Sequence, residues 1–320
     1  MQSPYVIEFS GDSEPLLGSL FKAAHDTWND FKFLERHGRV SLVSGKIEEI
    51  KELSFVNFIS EFLGIINDPT DLRNIHIPDG KFYVRIADYD GNIEFTESQA
   101  GNLLSAQGRV SFSEPDFVIR IVKLSRIFIG KMVFQKDGSI NQRRSALRPF
   151  FSPVSIHPKF ARFAINLSRT HPGDTVLDPF CGTGGIIIEA GIMGRKIIGS
   201  DSSLAMVRGA RLNLKYYGLS EDVRCAAFSD LELDQRVDAI VTDPPYGRSS
   251  ELSGESVESM HRGLYKKAHE LLKKDGILSI VVSDPEMLKF SANFFSVMSI
   301  DAVRIHRSLT RYFVSLRRIN

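Results

Sequence analysis

The regular exchange of short apolar runs and helical segments over residues 175–283 limits this chain more than any other feature. Thr175-Val176-Leu177-Asp178 is an apolar run that ends in a glycine-rich turn, and residues 186–193 follow as a helix. Residues 196–201 read as a second strand, and residues 203–217 as a helix closed by Gly218. Residues 223–228 form a weaker strand signal, and Ala239-Ile240-Val241-Thr242 a strong one that ends at Asp243. Residues 256–274 read as a helix with Gly276 behind it. Residues 277–283, continuous in Ile, Leu and Val, read as a strand buried on both faces. Such alternation predicts a parallel, doubly wound α/β sheet. Two last strands, near 300–307 and 312–317, are parted by a short turn, so an antiparallel pair is expected there.

The first half lacks this rhythm. Strands are expected at 5–9, 40–43 and 82–87, helices at 14–28 and 55–66, and a hairpin from 117–122 and 127–133. That mixture predicts an α+β region of two small modules, parted near Asn67-Asp68-Pro69. An acid-free stretch with Pro149, Pro153 and Pro158 leads into the α/β half. The expected division is therefore 1–70, 71–136, a linker at 137–150, and 151–320.

Composition excludes several classes. An apolar fraction of 42% is that of a globular chain. No apolar run approaches the roughly 20 residues of a membrane span, and residues 1–10 carry no signal-peptide pattern. Two cysteines, Cys181 and Cys225, make no disulfide framework, which fits a cytoplasmic setting, and no Cys/His cluster has metal-ligand spacing. Nothing demands a dimer, so a monomer without a membrane or metal partner is expected. Net charge is only +1, but its distribution is uneven. Residues 138–173 contain no Asp or Glu and carry Arg143, Arg144, Arg148, Lys159, Arg162 and Arg169. A second basic cluster, Arg304, Arg307, Arg311, Arg317 and Arg318, closes the chain. Such patches can hold phosphates whatever the total charge, or can be ordinary solvated surface. Arg143, Arg144 and Arg148 are the candidates for holding a nucleic-acid substrate.

The turn after the first strand of the α/β half is Asp178-Pro179-Phe180-Cys181-Gly182-Thr183-Gly184-Gly185. Glycines there allow close backbone approach to a ligand. Neither the dinucleotide fingerprint nor the phosphate loop is present. An acid ahead of the glycines suits a cofactor that has no pyrophosphate and carries positive charge, as S-adenosylmethionine does on its sulfonium and amino groups. Asp201, 23 residues on at the end of the next strand, has the spacing of a carboxylate that accepts from ribose hydroxyls. Asp178, Pro179, Gly182, Thr183, Gly184, Asp201 and Ser202 are the candidate cofactor residues. Cys181 has no base beside it and reads as a small buried residue.

Asp243-Pro244-Pro245-Tyr246-Gly247 falls at the carboxyl edge of the expected sheet, where open α/β folds bind ligands. The exocyclic amine of a nucleobase is a poor nucleophile because its lone pair is delocalised into the ring. Two acceptors aimed at its N–H groups would favour the tetrahedral geometry of attack. The Asp243 carboxylate and the Pro244 carbonyl can be those acceptors, stiffened by consecutive prolines. Tyr246 can stack on an unstacked base, a contact worth roughly 1–3 kcal/mol. The four residues are the candidate catalytic segment, and methyl transfer to the amine would depend mainly on positioning.

The segments 176–185 and Asp243-Pro244-Pro245-Tyr246-Gly247-Arg248-Ser249, with the entry Leu147-Arg148-Pro149-Phe150-Phe151, resemble the archaeal tRNA guanosine-10 N2-methyltransferases. Upstream, residues 101–133, with Asn102-Leu103-Leu104 and Glu114-Pro115-Asp116, are similar to a THUMP RNA-binding domain. The resemblance implies a Rossmann-like class I methyltransferase sheet, mostly parallel with its last strand antiparallel, behind ferredoxin-like and THUMP modules. It also implies S-adenosylmethionine as donor and tRNA as substrate. One departure stands out. Where the family commonly places an acid near the adenine amino group, this chain has Ala226-Ala227-Phe228, with Asp230 a few residues on. Phe228, through its backbone, or Asp230 would take that role. Three alternatives remain: an amine at another RNA position, adenine N6 or cytosine N4 of DNA, or RNA binding without catalysis.

Overall fold

The computed structural model describes every residue except 1–3, 92, 106–107, 154, 246–256 and 307–308. The chain divides into two compact units: residues 1–17, 28–51 and 55–137 form the first, and residues 18–27, 52–54 and 138–320 the second.

Along the first 137 residues run β1 (Tyr5–Phe9), α1 (Leu17–Thr27), β2 (Lys32–His37), β3 (Val40–Ser44), α2 (Ile47–Lys51), β4 (Val56–Ile66), β5 (Lys81–Asp88), α3 (Glu97–Leu104), β6 (Arg109–Val110), β7 (Phe117–Lys123) and β8 (Ile127–Gln135). The strands join in one eight-stranded sheet of order β2-β3-β1-β4-β8-β7-β5-β6. Its first four strands, with α1 and α2 between them in sequence, follow the β-α-β-β-α-β order of ferredoxin-like folds. The pairing of β4 with β8 carries the sheet across both expected N-terminal modules.

One expectation is overturned here. The helix expected at 55–66 is strand β4, paired antiparallel with β1 and β8. The apolar residues of this segment recur at 55, 56, 58, 59, 62, 63, 65 and 66, which mimics a helical stripe. Register shifts at Ile59/Ser60 and Phe62/Gly64 interrupt the period of two that would have marked a strand. The expected helix at 14–28 also divides: Gly11–Leu16 is a 3-10 turn and α1 follows it.

The second unit adds α4 (Ser139–Gln142), α5 (Pro158–Leu167), β9 (Thr175–Asp178), α6 (Gly185–Ile192), β10 (Lys196–Asp201), α7 (Leu204–Tyr216), β11 (Val223–Cys225) and β12 (Val237–Thr242). Then come α8 (Val257–Leu271), β13 (Leu272–Val282), β14 (Phe295–His306) and β15 (Leu309–Arg318). The sheet order is β11-β10-β9-β12-β13-β15-β14. Strands β9 to β13 pair in parallel, and β15 is inserted antiparallel to both β13 and β14. This is the Rossmann-like methyltransferase arrangement expected. Ala239, Ile240, Val241 and Thr242 of β12 are all fully buried, as a central parallel strand covered on both faces requires. Each large aliphatic side chain so buried contributes about 1.5–3 kcal/mol. The weak strand at 223–228 shortens to β11, and a 3-10 turn takes Phe228–Asp230.

Candidate active site

Three neighbouring parallel strands, β10, β9 and β12, each end in or just before an aspartate. Gly199 of β10 is level with Asp178 of β9, and Ile240 of β12 is level with Leu177. Asp201, Asp178 and Asp243 are thus delivered to one edge of the sheet. Parallel pairing does this because every carboxyl end points the same way.

Asp178 is almost completely buried, at 2% exposure. Its Oδ1 accepts from the Thr242 hydroxyl at 2.7 Å and from the Phe180 amide at 3.1 Å. Burial pushes its pKa up to about 7, and the nearby charges of Asp243 and Asp201 push the same way, against those two hydrogen bonds. The chain then turns sharply. Gly182 and Gly184 have φ of +51° and +89°, the left-handed region that favours glycine, and Gly184 caps α6. A Cβ on Gly182 would meet open space, so steric room exists above the turn for a ligand. The Gly182 amide donates to Asp201 Oδ2 at 3.0 Å, while Asp201 Oδ1 accepts from the Ser203 amide at 2.8 Å. Asp201 thereby ties the turn to the start of α7, and it stays partly exposed beside exposed Ser202. The Thr183 hydroxyl is buried without a hydrogen-bond partner among the described residues.

Asp243 carries a partner from far along the chain. Nη1 of Arg311, in β15, donates to Asp243 Oδ2 at 2.9 Å. Pro244 is buried and Pro245 exposed. Tyr246, the expected base platform, lies outside the described residues, as do Gly247, Arg248 and Ser249. Phe228 is buried and meets Phe180 edge-on at 5.6 Å, so its side chain packs beneath the turn. Asp230 is exposed, with its Oδ1 accepting from Ser229 at 3.0 Å. Cys181 is buried, and desolvation raises its thiol well above the ordinary range, against any nucleophilic use.

The basic stretch reads differently once folded. Arg143 and Arg148 are buried and are corrected from phosphate holders to internal supports. Arg143 donates to both oxygens of Glu189, at 2.6 and 3.0 Å, and Arg162 stands 3.6 Å from the same carboxylate. Glu189 is fully buried in α6 and demands such partners. Arg148 donates to the Arg143 carbonyl at 2.8 Å and to Ser155 at 3.2 Å. Arg169 donates to Asp26 and to Ser315, each at 2.9 Å. Only Arg144 of the three candidates keeps an exposed guanidinium.

Sequence reasoning missed Asn213. Its amide group donates to the Phe150 and Thr183 carbonyls, both at 3.0 Å, and accepts from the Phe150 amide at 2.8 Å. It fastens the Pro149-Phe150 entry segment onto the glycine turn. A buried Asn within the apolar side of α7 was the available signal. Arg311 stood in the C-terminal basic cluster, and nothing local marked it as a partner of Asp243.

Residues 145–312 match the family described as RMKL-like, methyltransferase domain. The tRNA (guanine(10)-N2)-dimethyltransferase of Methanothermobacter thermautotrophicus is 37% identical over 285 residues, which is 84% of each chain. That of Pyrococcus abyssi is 32% identical, covering 85% of this chain and 88% of its own. Among solved structures, TrmN from Thermus thermophilus superposes with a TM-score of 0.57 at 19% identity, over 99% of this chain and all of its own. SMU.472, a methyltransferase solved with SAH, gives 0.54 at 16% identity over the whole of both chains. These two likenesses concern the fold.

Proposed function

The chain belongs to the RMKL-like methyltransferases and, within them, to the archaeal tRNA (guanine(10)-N2)-dimethyltransferase family, and from that premise we propose that it methylates N2 of guanosine 10 in tRNA. The observation that carries this reading is the Asp243-Pro244-Pro245 segment, placed at the carboxyl edge beside the glycine turn between Asp178 and Asp201.

The residues present fit S-adenosylmethionine. Three acids at one edge suit its positive charges, Gly182 leaves room above the turn, and the buried Thr183 hydroxyl lacks a protein partner among the described residues. The cofactor supplies a methyl group activated by a sulfonium sulfur. Asp178 and Gly182 to Gly184 would hold its amino-acid end, and partly exposed Asp201 its ribose. Asp243 and the Pro244 carbonyl would accept from the guanine amine and turn its lone pair toward the methyl group. Once the methyl group that the cofactor supplies had passed to the amine, the nitrogen would give up one proton to the Asp243 carboxylate that already accepts its N–H. No metal is needed in this scheme.

Residues 71–136 are proposed to act as a THUMP module that grips the tRNA, with Arg144 as a phosphate contact at the entry to the catalytic unit. We further propose that the protein works as a monomer in the cytoplasm. Mass-spectrometric mapping of nucleosides in tRNA treated with protein and S-adenosylmethionine tests the function. N2-methylguanosine and N2,N2-dimethylguanosine at position 10 are expected; methylation confined to adenine, or none, would sink it.

A further inference from the structure

We propose that Arg311 is a positioning residue for Asp243, and that the second methyl transfer to the same nitrogen depends on it more than the first. This rests on the function proposed above.

The fold itself brings the pair together. In a parallel sheet the carboxyl edge receives only the carboxyl ends of strands. β15 runs the other way, so it presents its amino-terminal end there. Tyr312 is level with Val282, the last residue of β13, and Arg311 lies one residue nearer the edge. Its guanidinium meets a carboxylate 68 residues earlier in the chain, with Nη1 to Oδ2 at 2.9 Å. Both side chains are largely withdrawn from water, at 16% and 15% exposure. That is the regime in which a charge-assisted hydrogen bond fixes geometry rather than fluctuating on the surface.

Holding Oδ2 sets the plane of the carboxylate, and with it the lone-pair directions on which an amine N–H must land. Guanine N2 begins with two N–H groups. In the first transfer one can go to Asp243 and the other to the Pro244 carbonyl, so two bonds orient the nitrogen. After one methylation a single N–H remains. A carboxylate is a stronger acceptor than a neutral carbonyl, by roughly twofold. The remaining N–H therefore goes to Asp243, and that one bond must orient the nitrogen alone. Any loosening of the carboxylate is then felt in full.

The test compares wild type, Arg311→Gln and Arg311→Lys. Single-turnover rates are measured separately on unmodified tRNA and on tRNA already carrying N2-methylguanosine, alongside thermal midpoints and calorimetric binding of S-adenosylmethionine. Arg311→Gln is expected to slow the second transfer at least about tenfold more than the first, and to leave cofactor affinity within about twofold. Arg311→Lys, which keeps the charge without the planar fork, should recover part of the second rate. Should Arg311→Gln not fold, Arg311→Lys against wild type carries the same comparison, with a smaller skew. Equal losses in both transfers, or no loss in either, overturn the role given to Arg311 while the function stands. A wild-type protein that methylates no guanosine overturns both.

Discussion

Within the catalytic unit Glu189 and Asp243 are both held by arginines, and the two arrangements differ in kind. Glu189, in the middle of α6, is fully buried and takes two N–H groups of Arg143, with Arg162 beside it. Asp243, just past the end of β12, takes Nη1 of Arg311 and keeps some contact with water. In the first arrangement both oxygens are engaged by one guanidinium, which is how a charge is made tolerable inside a core. The second lies at the sheet edge, where parallel strands leave a ligand crevice. The same pair of functional groups serves stability in one place and orientation in the other, and depth in the fold decides which.

Substitutions should separate the two roles. The largest effect is expected from Glu189→Ala, which strands buried Arg143 and half-buried Arg162. Removing one partner of a buried pair costs about 3–5 kcal/mol, read from urea unfolding. A loss below about 1 kcal/mol would make the Glu189 pair no different from a surface ion pair. Next comes Asp243→Ala, expected to lower kcat by roughly 10²–10³-fold, as loss of a preorganised polar group does. Its unfolding midpoint should stay near wild type, and retained activity would remove Asp243 from the chemistry.

The third prediction concerns Asp178. Its pKa in the folded protein is raised to about 7 from an ordinary 3.8. Its contribution to stability is therefore full at pH below the unfolded value and is lost as pH rises through about 7. A cationic ligand favours the ionised form, so cofactor binding should release a proton. Affinity for S-adenosylmethionine should tighten as pH rises toward about 7, by up to about tenfold per unit, and level off above it. Asp178→Asn should flatten that profile, and an unchanged slope in the variant would assign the titration elsewhere. The smallest effect is expected at the surface. Arg144→Ala should reduce the salt slope of tRNA binding by about one. Arg148→Ala should cost stability and leave the slope alone; a change in slope there would return Arg148 to the phosphate-binding surface.

Much of the catalytic unit was legible because its signals are local. The alternation of strands and helices, the left-handed glycines of the turn and the prolines after β12 each act within a few residues of themselves. The last strand could be read as antiparallel from the short connection before it. Residues 55–66 read as a helix because the register shifts of β4 erase the period of two, and only its partners β1 and β8 make it a strand.

Sequence by itself determined that an aspartate and two prolines would stand at the end of a buried strand, with a glycine turn and two further acids in reach. A parallel sheet leaves no other place for them. Only the tertiary structure decided where the arginines go. A guanidinium's role depends on which carboxylate the fold sets opposite it, and on how little water remains between them. Arg143 and Arg148 therefore became supports, and Arg311 became the partner of Asp243.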